Sequence, residues 1–363
     1  MRSERKTISV ILPAAYGTGG IDVLYEYGSR MKKYGCDTVF YVPLIAYNLH
    51  RGNCFVDFAK QIYASLKMLK DYYINKRFDL IEKEKNIEIK LIPVIKDKYI
   101  KKADAIIASA WVTAYDVAKL SKDKGDKWYF IQDYEIWDNQ VKGVNSYRLP
   151  LKKIVIAKWI KEKLIEECKC KEEEIHIVRN GIDTMKFTKS GNEETTECLE
   201  CLMLDHELKK KGVSNGVKAF EEAKRTIKNL HLSMFGVKKS ANVPAWADFY
   251  ENPSHEELLS LYRKADIFIF PSLEEGWGLT PLEAMACGCA VAGTNVGCMR
   301  ELGVNGENAL ISEPNDISEM SKNICLFANK EFRQKISEEG WKTVQMLDWE
   351  SSTQKLINIL FSV

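Results

Sequence analysis

The chain has 363 residues, more than one hydrophobic core usually serves, so two domains are expected. Hydrophobic residues make up 45% and charged residues 29%, which excludes a disordered chain, and no apolar run approaches the roughly 20 residues that span a bilayer. Net charge is +2 but uneven, with 32 Lys and Arg against 24 Asp and Glu in residues 1–176 (+8) and 21 against 27 in the remainder (−6).

No nucleic-acid-binding motif accompanies the basic half, so nucleic acid is not an expected partner. A lysine-rich solvated surface is the plainer reading, and contact with anionic lipid or a lipid-linked phosphate acceptor the sharper one. The apolar stretch Ile8–Leu12 is too short for a signal-peptide core and stops at Pro13. A cytoplasmic protein is expected, one whose basic N-terminal domain is suited to peripheral contact at the inner face of the membrane.

Thr7–Leu12 reads as a strand and is followed by a glycine-bearing loop, residues 16–20. A helix then runs to Gly35, and Thr38–Val42 is the next strand. Phe58–Phe78 reads as one helix. Glu88–Pro93, Ala105–Ala108, Trp128–Gln132 and Ile154–Ala157 read as strands, and Lys158–Cys168 as a Lys/Glu-rich helix. Val178–Asp183 leaves a strand through an Asn-Gly turn, and the polar run Thr188–Glu197 reads as a linker. The second half repeats the grammar: strands at Cys198–Leu204, Leu230–Phe235, Ile267–Phe270 and Ala290–Gly293, and helices at Val213–Arg225, His255–Arg263, Pro281–Cys287 and across most of 316–363.

This order predicts two doubly wound, Rossmann-like α/β domains with parallel sheets facing a central cleft. The expected boundaries are 1–176 and 177–346, with a last helix over 347–363 packing back on the first domain. In such sheets ligands sit beyond the carboxyl ends of the strands. Ten cysteines include Cys168/Cys170, Cys287/Cys289 and Cys198/Cys201. The first two pairs in the chain, Cys168/Cys170 and Cys198/Cys201, supply enough ligands for zinc. However, Cys198–Cys201 reads as a buried strand without the glycines that turn a metal knuckle, so reduced structural thiols and no metal are expected.

The chemistry concentrates in Pro271–Gly288 (PSLEEGWGLTPLEAMACG). Pro271-Ser272 breaks a strand, Glu275-Gly276-Trp277-Gly278-Leu279 makes a glycine-bearing turn, and Thr280-Pro281-Leu282-Glu283 opens a helix. Amides of a first helical turn and the positive end of its dipole suit a diphosphate. Glu275 sits in the loop, within reach of a reacting group. Glu283 sits in the first turn, able to accept from vicinal hydroxyls. A plainer account of Glu283 stands beside this: Thr280-x-x-Glu283 is a capping box, worth about 1 kcal/mol. For Glu275 the plainer account is a solvated loop charge.

The run Glu275-Gly-Trp-Gly-Leu-Thr-Pro-Leu-Glu283-Ala-Met-Ala-x-Gly resembles the Glu-x7-Glu signature of family 4 retaining glycosyltransferases, which have the GT-B fold. Gly19-Gly20, Ile154–Trp159, Val178–Asp183, Leu258-x3-Tyr262-x2-Ala265-Asp266 and Gly297-x3-Glu301 resemble further segments of that family. Trp128–Glu135, with Gln132-Asp133-Tyr134-Glu135, is similar to a bacterial rhamnosyltransferase branch, which implies a dTDP-rhamnose donor.

The resemblance implies that Glu275 contacts the donor sugar and Glu283 the ribose. It assigns phosphate and sugar hydroxyls to the backbone of Gly276, Trp277, Gly278, Leu279 and Thr280. Gly19 and Gly20 would approach the diphosphate, Asn180 would line the nucleotide-sugar site, and Asp133 would orient the acceptor or the transferred sugar. The family's Lys-Gly is present as Lys211-Gly212, but its Gly-Arg pair reads Asp205-His206. His206 is a weaker, pH-sensitive substitute for the arginine, and Lys209 or Lys210 are alternative sources of the lost charge. An aspartate beside a diphosphate is unfavourable unless turned away.

The expected activity is transfer of a hexose from a nucleotide-diphosphate sugar, with retention and without a metal or organic cofactor, to a glycan, lipid-linked or small-molecule acceptor in polysaccharide biosynthesis. Two other readings stay open. One is a catalytically degenerate GT-B protein that binds glycan or serves as a partner subunit of another transferase. The other is a GT-B sugar-nucleotide epimerase, for which the chain lacks the expected acid/base histidines. Tyr16, Tyr47, Trp111 and Trp137 are either sugar-stacking aromatics or, more commonly for such residues, core and rim.

Overall fold

The computed structural model describes residues 5–16, 19–45, 47, 54–137, 139–189 and 198–361, with the side chains of 54–57 left out. The chain folds as two compact units, residues 1–180 with 350–363 and residues 181–349.

In the first unit the elements run β1 (Lys6–Ile11), α1 (Gly19–Met31), β2 (Cys36–Pro43), α2 (Cys54–Tyr73), α3 (Arg77–Lys85), β3 (Glu88–Ile92), β4 (Ala105–Ala108), α4 (Trp111–Lys119), β5 (Asp126–Ile131), α5 (Gln140–Ser146), β6 (Lys152–Val155), α6 (Lys158–Glu166) and β7 (Ile175–Ile177). The strands lie in the order β3-β2-β1-β4-β5-β6-β7, every pairing parallel. The central strand β4 is Ala-Ile-Ile-Ala with all four residues buried, the continuous apolar run of a strand covered on both faces.

The second unit runs β8 (Leu199–Leu204), α7 (Val213–Thr226), β9 (Leu230–Gly236), β10 (Asp248–Glu251), α8 (His255–Lys264), β11 (Ile267–Phe270), α9 (Thr280–Ala286), β12 (Ala290–Thr294), α10 (Gly297–Leu302), β13 (Leu310–Ser312), α11 (Ile317–Leu326) and α12 (Lys330–Gln345). Its parallel sheet has the order β10-β9-β8-β11-β12-β13. Both sheets therefore reverse direction once, between β1 and β4 and between β8 and β11. The core of this unit packs Phe220, Met234, Ile269, Ile324 and Ile336 around the sheet. Helix α8 starts in a full capping box: the Glu257 amide donates to Ser254 Oγ at 3.2 Å, and the Ser254 amide donates to the Glu257 carboxylate at 2.7 Å.

Helix α13 (Trp349–Phe361) follows. Glu350 in its first turn accepts from Arg30, Lys33 and Tyr34 at 2.6, 3.0 and 3.0 Å, which ties it to the end of α1.

Several sequence readings are corrected. The single helix over Phe58–Phe78 is two, because Lys76 takes a left-handed φ of 51° and lets Phe78 fold back onto Tyr72, with ring centroids 5.0 Å apart. The Asn-Gly turn does not form. Gly181 has no left-handed φ, and its glycine is required because a Cβ there would lie 2.4 Å from the Trp349 amide nitrogen. Of the polar run 188–197, residues 190–197 lie outside the described residues, as do Gly17 and Thr18. Unread in the sequence were β10, a mostly exposed edge strand (Asp-Phe-Tyr-Glu) that packs Phe249 on the core, the three-residue strand β13, and the short helices α4, α5 and α10.

Candidate active site

In the second unit the two strands flanking the reversal, β8 and β11, deliver the principal charges. Chain leaving β8 passes Asp205-His206 and reaches Lys211 in a single 3-10 turn, Lys209–Lys211. Gly212 ends that turn at φ +62°, and a Cβ on it would lie 1.9 Å from the carbonyl oxygen of Pro271 at the end of β11. This contact presses the β8 loop onto the β11 loop, as do the Leu273 and Glu274 amides, which donate to the Lys210 carbonyl at 2.7 and 3.3 Å. Lys211 and Glu275 are consequently brought together: Lys211 Nζ lies 2.7 Å from both carboxylate oxygens of Glu275. The side chains are only 20% and 12% exposed, so little solvent screens the pair.

The turn after Glu275 is held from behind. Trp277 is buried, and its carbonyl accepts from the Cys298 amide at 2.5 Å. The Cys298 thiol donates to the Gly278 carbonyl at 3.0 Å. Gly278 has φ +83°, and a Cβ would meet Glu275 Cγ at 3.0 Å. With its indole buried, Trp277 presents backbone to the site.

Glu283 does not cap its helix. The N-cap position is Leu279, which makes no side-chain cap bond, and Thr280 is the first helical residue. The expected capping box is one residue out of register, since Thr280 is itself the first helical residue and Pro281 the second. The Glu283 carboxylate accepts instead from the Tyr262 hydroxyl at 2.8 Å. Burial pushes its carboxyl up to about 7, opposed by the Tyr262 hydrogen bond.

Asp205 is turned away from the site. It is 2% exposed, and its two oxygens accept from the Ser240 amide at 2.8 Å and the Ser240 hydroxyl at 2.6 Å. His206 Nδ1 accepts from the Leu208 amide at 3.0 Å, which sets the tautomer with the proton on Nε2. Burial, then the Lys211 charge, lower its pKa below the usual imidazole value. At neutral pH it is an uncharged hydrogen-bond donor, not a replacement for a guanidinium.

In the first unit, Gly19 and Gly20 open α1, and Gln132 Nε2 donates to the Gly20 carbonyl at 2.9 Å. A Cβ on Gly20 would meet that Nε2 at 3.1 Å. Asp133 follows β5, half-buried, and its Oδ1 accepts from the Tyr134 amide at 2.8 Å. Asn180 is buried with its carboxamide oxygen 3.5 Å from the Tyr27 hydroxyl. Trp111 is buried against Trp137, Tyr16 bonds Asp71, and Tyr47 donates to Asp116 at 2.7 Å.

Three residues that matter to these loops were not singled out as site residues in the sequence: Tyr262, Ser240 and Glu135. Glu135 is buried, accepts from the Trp111 amide at 2.7 Å and the Tyr129 hydroxyl at 2.8 Å, and burial pushes its carboxyl up to about 8. Two of the three sat inside quoted segments, Tyr262 in Leu258–Asp266 and Glu135 in Gln132–Glu135. Their partners are distant in sequence, so no local spacing marked them.

Residues 186–343 match the family model for group 1 glycosyl transferases. An uncharacterized glycosyltransferase of Methanocaldococcus jannaschii is 34% identical over 98 residues, 27% of this chain and 28% of that protein. The O-antigen chain mannosyltransferase B of Escherichia coli is 33% identical over 114 residues, 31% of this chain and 29% of that protein. The match thus spans less than a third of either relative's length. Among solved structures, Anabaena HepE in complex with UDP and glucose superposes with a TM-score of 0.76 at 13% identity, covering 99% of this chain and 100% of that one. At that identity the likeness is one of fold, and the fold is GT-B, with two Rossmann-like parallel-sheet domains.

Proposed function

We infer, from a second unit that matches the family model for group 1 glycosyl transferases, that the chain transfers a hexose from a nucleoside-diphosphate sugar to a glycan, lipid-linked or small-molecule acceptor. The observation that carries this is the Lys211–Glu275 pair at the carboxyl ends of the two strands flanking the sheet reversal, where doubly wound sheets bind ligands. A cation and a sugar-contacting carboxylate on one ledge match what the reaction needs. The leaving diphosphate takes the Lys211 charge and the amides of the Gly276–Thr280 turn. Glu275 takes sugar hydroxyls, and Glu283 the ribose. HepE was solved with UDP and glucose, which supports a uridine nucleotide as one donor to test, and dTDP-rhamnose is another.

In the proposed reaction the acceptor oxygen bonds to the anomeric carbon as the bond from that carbon to the diphosphate oxygen breaks. The electron pair leaves with the diphosphate. The acceptor proton passes to a diphosphate oxygen on the same face, so configuration is retained. Charge neutralisation falls to Lys211 and backbone amides in place of a metal.

The test is sugar transfer from a panel of nucleotide sugars by wild type and Glu275→Ala. Transfer by the wild type and a loss of about 1000-fold in the variant, with circular dichroism showing that the variant is folded, support the reading. Parent-rate transfer by Glu275→Ala overturns the role of Glu275. One observation favours a second reading, a nucleotide- or glycan-binding protein without turnover: the family's arginine is replaced by an uncharged His206. Calorimetric nucleotide binding without any transfer selects it.

A further inference from the structure

Exposed large apolar side chains gather on one element of the first unit. Phe58, Ile62, Tyr63, Leu66 and Tyr73 of α2 are 59%, 45%, 71%, 59% and 63% exposed, and Ile74 just beyond it is 72% exposed. At about 100° per residue, Phe58, Ile62, Leu66 and Tyr73 fall within roughly 80° of the helix circumference. Met68 is buried about 120° round the helix from the middle of the stripe, and the half-buried Tyr72, which lies between them on the circumference, packs on Phe78. The stripe is therefore not the core face of the helix but a second apolar face.

Past the Leu66 edge of the stripe the exposed Lys70 follows after about 40° of the circumference and the exposed Lys67 and Lys60 after about 100° and 120°, and beyond the helix stand the exposed Lys76 and Arg77. Between Phe58 and Tyr73 the single carboxylate is Asp71, which is buried and accepts from Tyr16 and Asn75. The outward face is thus apolar with a cationic edge and no anion. Water disfavours such a stripe, and a second copy of the same face would bring lysines against lysines. No helix among the described residues is long and apolar enough to cross a membrane.

We propose that α2 lies in the plane of an anionic lipid surface, with Phe58, Ile62, Leu66 and Tyr73 entering the acyl boundary and Lys60, Lys67 and Lys70 holding acidic headgroups. The helix is 20 residues long, about 30 Å, and an apolar stripe with lysines along one edge is the pattern of an interfacial helix. Lysine stems reach headgroups while their methylenes stay on the apolar side. This inference does not depend on the transfer chemistry, and its test needs no substrate.

The experiment is sedimentation of the full chain with phosphatidylcholine vesicles and with phosphatidylcholine vesicles containing phosphatidylglycerol. The wild type pellets with the anionic vesicles, less so at high salt, and stays in solution with the neutral ones. Ile62→Ser with Leu66→Ser lowers anionic-vesicle partitioning about tenfold. Lys67→Glu with Lys70→Glu lowers it by about tenfold as well. All four positions are exposed, and circular dichroism and melts confirm that the variants fold. Wild type that remains soluble with anionic vesicles, or an Ile62→Ser, Leu66→Ser variant that pellets like wild type, overturns the proposal. So does a wild-type dimer that the apolar variant converts to monomer, which would assign the face to a second copy.

Discussion

The two units share a strand order and a reversal point but use the loops after their strands differently. In the second unit the loops after β8 and β11 bring charges together: Lys211 and Glu275 neutralise one another, and Glu283 in α9 accepts from the Tyr262 hydroxyl. In the first unit the corresponding polar groups mostly hold the unit together. Gln132 fastens the start of α1, Glu135 fastens the start of α4, and Asp133 folds back on the next amide. Equal architecture therefore does not give equal chemistry. The difference lies in whether a loop's polar groups are satisfied within the loop or by a partner that a ligand can replace.

The contrast can be broken at its most rigid point first. Gly212→Ala forces a Cβ into the Pro271 carbonyl at a left-handed φ. It is expected to destabilise the second unit by about 3 kcal/mol, read as a lowered denaturant midpoint. An unchanged midpoint would show that the two loops are not pressed together there. Next, Lys211→Met leaves the Glu275 carboxylate largely buried without its cation. A loss of about 2 kcal/mol in stability and about tenfold or more in nucleoside-diphosphate affinity is expected, measured by melts and calorimetry. If affinity held while stability fell, Lys211 would be a structural partner only.

A pH-dependent effect separates Glu283 from a cap. Its folded carboxyl is raised to about 7, so between the ordinary carboxylate range and about pH 7 the folded chain binds the extra proton. Its contribution to stability is then full at low pH and declines as pH rises through that window, by at most about 3 kcal/mol. Glu283→Gln should flatten this decline in a pH series of melts. A decline of the same slope in the variant assigns it elsewhere, with Glu135 the next group to test. The smallest expected effect is in the first unit, where Gln132→Ala removes one hydrogen bond to the Gly20 carbonyl at a cost of about 1 kcal/mol. A larger loss would show that the first unit's loops are more cooperative than single bonds imply.

Much of the fold was legible along the chain because its strands are short and punctuated, and some, such as β4 and β11, are wholly apolar. Ala105–Ala108 and Ile267–Phe270 match their predicted limits to the residue. Helix α8 was read close to its limits, and the capping bonds between Ser254 and Glu257 that start it lie within one turn. The reading failed where a residue's role depends on something remote. The Phe58–Phe78 pattern looked continuous because Phe78 keeps helical spacing, although its burial is reached only by a break at Lys76. Thr280 and Glu283 have capping-box spacing, yet Glu283 bonds a tyrosine 21 residues away.

What the sequence determined by itself was local: the apolar strands, the helix signals, and the Glu275 to Glu283 run with its glycines. These follow from backbone sterics and side-chain periodicity within a few residues. The tertiary structure decided which charges meet. Lys211 and Glu275 are 64 residues apart and touch because Gly212 lets one strand-end loop settle on another. Asp205, read as an obstacle to a diphosphate, is harmless because Ser240 takes both its oxygens. Electrostatic partners depend on distance in space, which the order of residues does not contain.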